Sequence, residues 1–264
     1  MQFENVTCPH CGLLCDDLTV QVDDLSLQVL NPKFSHCESA FADASLEKSA
    51  LPTPLIDGKP ASIEEALNKA AEILRTSSQP LINGLIADVQ TCRDAIALTE
   101  KVGGVIDHAN GTRMRGSTAI MQRIGEVKAT LAEVRNRADC VVIFGSGVLR
   151  RFPRLFERIL RPTKSLGNEN TRNKKIYLLE LANNVSAETN KENNVTTLSL
   201  NYSLLESLVY RFQEIITRPQ ESIKNIDKDT QILIDLQKTI LESNYTTFVW
   251  SAAEFNLESS EHTV

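Results

Sequence analysis

The 264-residue sequence predicts an α/β protein, with a small cysteine-rich segment followed by a mostly parallel, doubly wound sheet. Three observations carry this reading. Cys8, Cys11 and Cys15 crowd into the stretch TCPHCGLLCDD (7–17); strand-sized apolar runs alternate with helical ones from about residue 50; and DCVVIFGSG (139–147) reads as a buried strand ending in a glycine turn.

Residues 1–50 hold four of the six cysteines and the stretch LTVQVDDLSLQVL (18–30), whose apolar residues recur at every second position on either side of an acidic turn. That pattern is a small hairpin beside the cysteines. The connector LPTPLIDGKP (51–60) opens the second domain, expected to run over 51–264. SIEEALNKAAEILR (62–75) follows as a helix, with Ser62 and Glu65 spaced as a capping box and Ile63, Ala66, Leu67, Ala70, Ala71 and Leu74 on one face. PLINGLI (80–86) is a strand, and DVQTCRDAIALTEKVGG (88–104) is a helix capped by Asp88 and ended by the glycine pair. GVI is a short strand, and DHANGTRMRGSTAIMQRIG (107–125) reads as irregular. The strand at 139–147 is expected to pair with KIYLLEL (175–181), VTTLSL (195–200) and TTFVW (246–250), with helices near 152–160, 203–217 and 228–242. Two Asn-rich stretches, LGNENTRNKK and ANNVSAETNKENN, have little to bury and read as loops.

Hydrophobic residues make up 42% of the chain and charged residues 23%, enough to bury a sizeable core. The net charge of −6 supplies no basic surface for a phosphate backbone, so no nucleic-acid partner is expected. MQFENVTCPH lacks the basic and apolar regions of a leader, and runs such as VVIF (141–144) are too short to cross a bilayer. A cytoplasmic protein without a membrane partner is the expectation. There, clustered thiols read as metal ligands or redox groups before disulfides.

Cys37 follows Cys15 after 21 residues, which completes a set of four thiols. Three closely spaced cysteines and a distant fourth suit an iron–sulfur cluster such as [4Fe–4S]. Zinc is the second reading, with His10 as an alternative donor, although structural zinc favours paired C-x2-C knuckles. A cluster segment that has lost its metal is the third. Cys92 and Cys140 lie in regular elements and read as small buried apolar residues. The turn Gly145, Ser146, Gly147 exposes backbone amides ahead of a helix, a weak signal for an anion; Arg150, Arg151, Arg154 and Arg158 follow, a pattern more common on solvated helix faces. The histidines at 10, 36, 108 and 262 form no nucleophile or zinc-hydrolase motif, so no catalytic residue is assigned.

TCPHCGLLCDDLTVQV, with Cys37 downstream, resembles the amino-terminal cluster segment of the B-type subunit of formylmethanofuran dehydrogenase, a branch of the molybdopterin oxidoreductase superfamily. ADCVVIFGSGVLRRFPRLFERIL (138–160) resembles the strand, glycine turn and helix that frame the pterin there, commonly with a Pro-Arg pair such as Pro153 and Arg154. The resemblance covers most of residues 5–160. It implies a molybdopterin-type sheet, a cluster on Cys8, Cys11, Cys15 and Cys37, cofactor contacts from Gly145, Ser146, Gly147 and Arg154, and work as one subunit of a complex. Redox members place a metal-ligating cysteine or selenocysteine after the strand ending in a DH-like pair. Here that segment reads DHANGTRMRGSTAIMQRIGE, and no cysteine occurs from Arg93 to Asp139. Met114 and Ser117 are poor substitutes, so a molybdenum or tungsten pterin is not expected.

The sequence is more like the B-type subunit of the methylotroph formyltransferase/hydrolase complex, which implies a non-redox structural subunit in formyl (one-carbon) metabolism. A redox-active dehydrogenase subunit and a stand-alone metal-binding module are the alternatives. Beyond TTFVW, Ser259 or Ser260 offers a helix cap with no amphipathic body behind it. The domain is therefore expected to be an incomplete copy of a longer subunit, with strand 246–250 beside a poorly covered surface.

Overall fold

The computed structural model describes residues 1–9, 11–13, 15–23, 26–32, 41, 52–166, 173–182, 195–218, 222–223, 226–251 and 254–255. The amino-terminal hairpin forms as its alternation requires: β2 (Leu18–Asp23) pairs antiparallel with β3 (Ser26–Val29). A strand not foreseen from the sequence, β1 (Gln2–Val6), adds to the other side of β2, with a bulge between Phe3 and Val6.

After a short hairpin of β4 (Leu55–Ile56) and β5 (Lys59–Pro60), α1 spans Ile63–Thr76. Its capping box is complete: Glu65 N–H donates to Ser62 Oγ at 3.2 Å, and Ser62 N–H donates to Glu65 Oε2 at 2.9 Å. No residue of α1 is buried, so caps and propensity hold it. Next come β6 (Leu81–Leu85), α2 (Val89–Val102) and β7 (Val105–His108). Asp88 caps α2 through Thr91 N–H at 2.8 Å, and Gly103 ends it in the left-handed conformation. β6 and β7 pair in parallel as a two-stranded sheet of their own rather than joining the larger sheet.

The segment read as irregular is instead helical, α3 (Gly111–Arg123). Gly111 and Gly116 lower its helix propensity and its apolar residues are only weakly patterned, which hid it; Asn110 makes no side-chain cap bond. A second unforeseen helix, α4 (Leu131–Asn136), has a full capping box of Thr130 and Glu133.

The main sheet has the order β10-β9-β8-β11, all parallel, from β8 (Cys140–Phe144), β9 (Lys175–Leu181), β10 (Thr196–Leu200) and β11 (Thr246–Trp250). Alternation sorts its side chains to two faces. Cys140, Val142, Phe144 and Leu179 pack with α6 (Leu205–Thr217) and α7 (Lys228–Glu242), while Val141, Ile143, Ile176 and Leu178 pack with α4 and α5 (Gly147–Arg151) and the π-helical turn Phe156–Leu160. Both faces are covered, as a parallel sheet needs.

β11 is an edge among the described residues, and a groove of about 730 Å³ runs along it beside Val127, Leu131 and Val134. Asp139 fixes its start by accepting from Asn244 N–H at 2.9 Å and Tyr245 N–H at 3.0 Å. No helix among the described residues is long and apolar enough to cross a membrane.

Lys174, just ahead of β9, is almost wholly buried, and its Nζ donates to Arg135 O at 2.9 Å. Burial, helped by the charge of Arg161, pushes its amine down to about 8. Between about pH 8 and 10.4 the unfolded chain then holds a proton that the folded chain has released, so stability gains with rising pH over that window. Urea unfolding of the protein and Lys174→Met across this range should show the rise in the former and its loss in the latter.

Candidate functional site

The cysteine loop is closed by one backbone bond, Cys8 N–H to Cys15 O at 2.7 Å, with Gly12 supplying the positive φ that the turn requires. Cys8 and Cys15 are buried against Leu18, Val20 and Val29 of the hairpin, and Cys11 is half-buried. Burial pushes the Cys15 thiol up, while Arg154 and Arg158 pull it back and Cys11 adds to the rise. Cys37 and His10 lie outside the described residues. Among the described residues no three His, Cys, Asp or Glu side chains gather closely enough to hold a metal ion. The donors on the loop are nonetheless soft thiols, chemistry that suits iron–sulfur ligation.

Two acidic residues follow the loop and meet two arginines from beyond α5. Arg154, 4% exposed, donates from Nη1 and Nη2 to Asp17 Oδ1 and Oδ2 at 2.6 and 2.7 Å, and from Nε and Nη2 to Glu157 Oε2 and Oε1 at 2.9 and 2.6 Å. Arg158 Nη2 reaches Asp16 Oδ1 at 2.5 Å. The bond from Arg154 holds the Asp17 carboxyl below the usual range, and its partners hold Arg154 firmly charged. Leu13 packs on both the hairpin core and one face of the main sheet, so the cysteine segment is fastened to the α/β domain by charge and apolar contact together.

The glycine turn lies elsewhere. Gly145, with a φ of 76°, turns the chain out of β8, and Gly147 starts α5. Gly147 N–H donates at 2.7 Å to Glu254 Oε1, a carboxylate from beyond β11. A Cβ at Gly145 would fall 2.6 Å from Glu254 Oε2, and one at Gly147 would collide with Glu254 Cδ. Only glycines leave room for that acid. Ser146 is buried, donates from Oγ to Glu180 Oε1 at 3.3 Å and accepts from Arg150 Nη1 at 2.8 Å.

Gly145, Ser146 and Gly147 thus come together at the carboxyl end of β8, next to the point where strand order reverses between β9 and β11. Arg154 is not with them; it faces the cysteine loop. Sequence reasoning missed Glu180 and Glu254. The acid inside the apolar run KIYLLEL was a signal for the first, whereas nothing in the sequence marked the second.

No family model matches the chain. It is similar to the B-type subunit of tungsten-containing formylmethanofuran dehydrogenase 2 from Methanocaldococcus jannaschii, 32% identical over 58% of this chain and 37% of the relative. The same subunit from Methanococcus maripaludis is 31% identical over 59% and 37%. The B-type subunit of the formyltransferase/hydrolase complex Fhc from Methylorubrum extorquens is 31% identical over 34% of this chain and 25% of the relative. The chain therefore spans a little over a third of the two dehydrogenase subunits. Among solved structures it is similar to the formyltransferase/hydrolase complex FhcABCD of M. extorquens with methylofuran, with a TM-score of 0.58 and 19% identity over 76% of this chain and 52% of that one, a likeness of fold. The resemblance to the B-type subunits of formylmethanofuran dehydrogenase and Fhc that the sequence carries is thus also what the comparisons return.

Arg154→Met removes the bidentate partner of Asp17, leaving it only Arg158 at 4.0 Å, and should cost about 1–3 kcal/mol of stability in urea unfolding, because Asp17 is itself one third exposed. Because the folded Asp17 pKa is depressed, its contribution is complete above the usual carboxylate range and is lost as pH falls through the depressed value. Below about pH 4 the unaltered protein should therefore lose stability more steeply than the variant.

Proposed function

We propose that the chain is a B-type subunit of a formyl-transferring complex in one-carbon metabolism, and that it scaffolds its partner subunits without performing redox chemistry itself. The observation that carries this is the glycine turn. Where a pterin-binding relative would present open amides to a cofactor anion, Gly145 and Gly147 close on the chain's own Glu254. The absence of cysteine from Arg93 to Asp139 supports the same reading, since no thiolate is available there to ligate molybdenum or tungsten. Residues fitted to a pterin at this turn are thus lacking, and no step is assigned to one.

Cys8, Cys11 and Cys15, with Cys37, would hold an iron–sulfur cluster of the [4Fe–4S] type, which would supply either a one-electron relay or a structural staple. In this reading residues 1–50 form the cluster segment and 51–264 an α/β domain of molybdopterin-oxidoreductase type. The protein works in the cytoplasm beside the other subunits, and the methylotroph complex is the nearer functional analogue.

A second reading, a redox-active dehydrogenase subunit, is favoured by one fact: the tungsten-containing relatives align over more of the chain than the Fhc subunit does. Purification under anaerobic conditions followed by assay for iron, zinc, molybdenum and tungsten separates the two. The scaffold reading expects neither molybdenum nor tungsten, and no formyl-transfer or dehydrogenase activity from the isolated chain. Stoichiometric tungsten or molybdenum, or robust activity of the 264-residue chain alone, would overturn it.

A further inference from the structure

At the carboxyl edge of the main sheet, a cavity of about 230 Å³ opens beside Gly145 and is walled by Leu181, Leu204 and Leu205 with Glu180, Glu206 and Glu254. Glu180 is 4% exposed, and its Oε1 meets Ser146 Oγ while its Oε2 is buried with no hydrogen-bond partner. Glu254 repeats the pattern: Oε1 takes the Gly147 amide, and Oε2 is buried without a partner. Buried polar atoms in this state are costly, more so when charged, so two on one cavity require an explanation.

From this geometry we propose that the cavity is a binding site for a primary ammonium group carried on a short alkyl stem. An ammonium offers three N–H donors, enough for both orphan oxygens, and the leucine walls suit methylenes. The charge balance agrees. Arg150, the cation that contacts this turn, is largely exposed, is bonded to Ser146 Oγ and stands 3.8 Å from the already bonded Oε1 of Glu254. Burial pushes both carboxyls up, and the neighbouring Glu254 raises Glu180 further, against the pull of Arg150 and of the bonds from Ser146 and Gly147. An anion is disfavoured here because Glu254 already takes the α5 amide. The amino group could come from a free alkylamine or from a lysine side chain of a protein partner. The site does not depend on the subunit assignment above.

The test is isothermal titration of the full chain with n-butylammonium chloride, with potassium chloride and n-butanol as controls for charge alone and stem alone. Saturable binding of butylammonium only is expected, weakened about tenfold or more in Glu180→Gln, which keeps the side-chain shape. Tighter binding of Nα-acetyl-lysine amide than of butylammonium would identify a lysine as the occupant, and the reverse order a free amine. Leu204→Lys provides a second readout, because an ammonium supplied from the exposed rim should raise the melting temperature and remove butylammonium binding. Absence of saturable binding to the unaltered chain overturns the proposal, as does equal affinity in Glu180→Gln. Were Glu180→Gln unable to fold, an unchanged melting temperature in Leu204→Lys would overturn it.

Discussion

The Arg154 guanidinium, buried between Asp17 and Glu157, is the constraint on which the placement of the cysteine loop depends. A buried cation must be matched by nearby anions, and a planar fork gripping one carboxylate through two parallel bonds fixes orientation as well as distance. The order extends outward from there. Asp17 O accepts from Asn31 Nδ2 at 3.1 Å, and Asn31 Oδ1 accepts from Thr19 N–H at 2.5 Å, so the end of the cysteine loop is tied to both strands of its hairpin. On the far side Arg154 continues into the π-helical turn, whose Ile159 and Leu160 are buried in the main core. One side chain therefore links two hydrophobic cores that otherwise share Leu13.

At the glycine turn, an arrangement suited to collecting ligands is turned to internal contacts. In open parallel sheets, the carboxyl ends of strands at a reversal of order are where ligands collect, because helix amides and glycines converge there. This chain has the reversal, the glycines and the amide, and satisfies them internally. Architecture alone therefore does not set the role of such a turn; the side chains that meet it do.

Most regular elements were legible because their signals are local. The Ser62–Glu65 box, the Asp88 cap with Gly103, and the alternation in 18–30 are each written within a few residues, and each formed as read. The main-sheet strands were legible from apolar and β-branched content together. By contrast, α3 carries Gly111 and Gly116 in a weakly patterned run, and β1 carries the mixed run QFENV, whose strand character comes from pairing with β2. The separation of β6 and β7 from the main sheet is a tertiary outcome that periodicity does not encode. At the candidate site, the glycines and cysteines were visible as residue types, but their partners were not. Asp17 and Arg154 lie 137 residues apart, and Gly147 and Glu254 lie 107 apart, distances over which one sequence gives no pairing information.

The second of those separations affects how the chain comes off the ribosome. Strands β8, β9 and β10 are complete by residue 200, so three quarters of the sheet can assemble early. Both β11 and Glu254 are made later, and at about 5–20 residues per second the gap between Gly147 and Glu254 corresponds to roughly 5–20 s of translation. During that interval the β8 edge has no neighbour, and the Gly147 amide lacks the carboxylate that later occupies it. The nascent polypeptide thus passes through a stage with β8 uncovered on one side and an unfilled turn, a natural point for chaperone engagement before β11 pairs with β8.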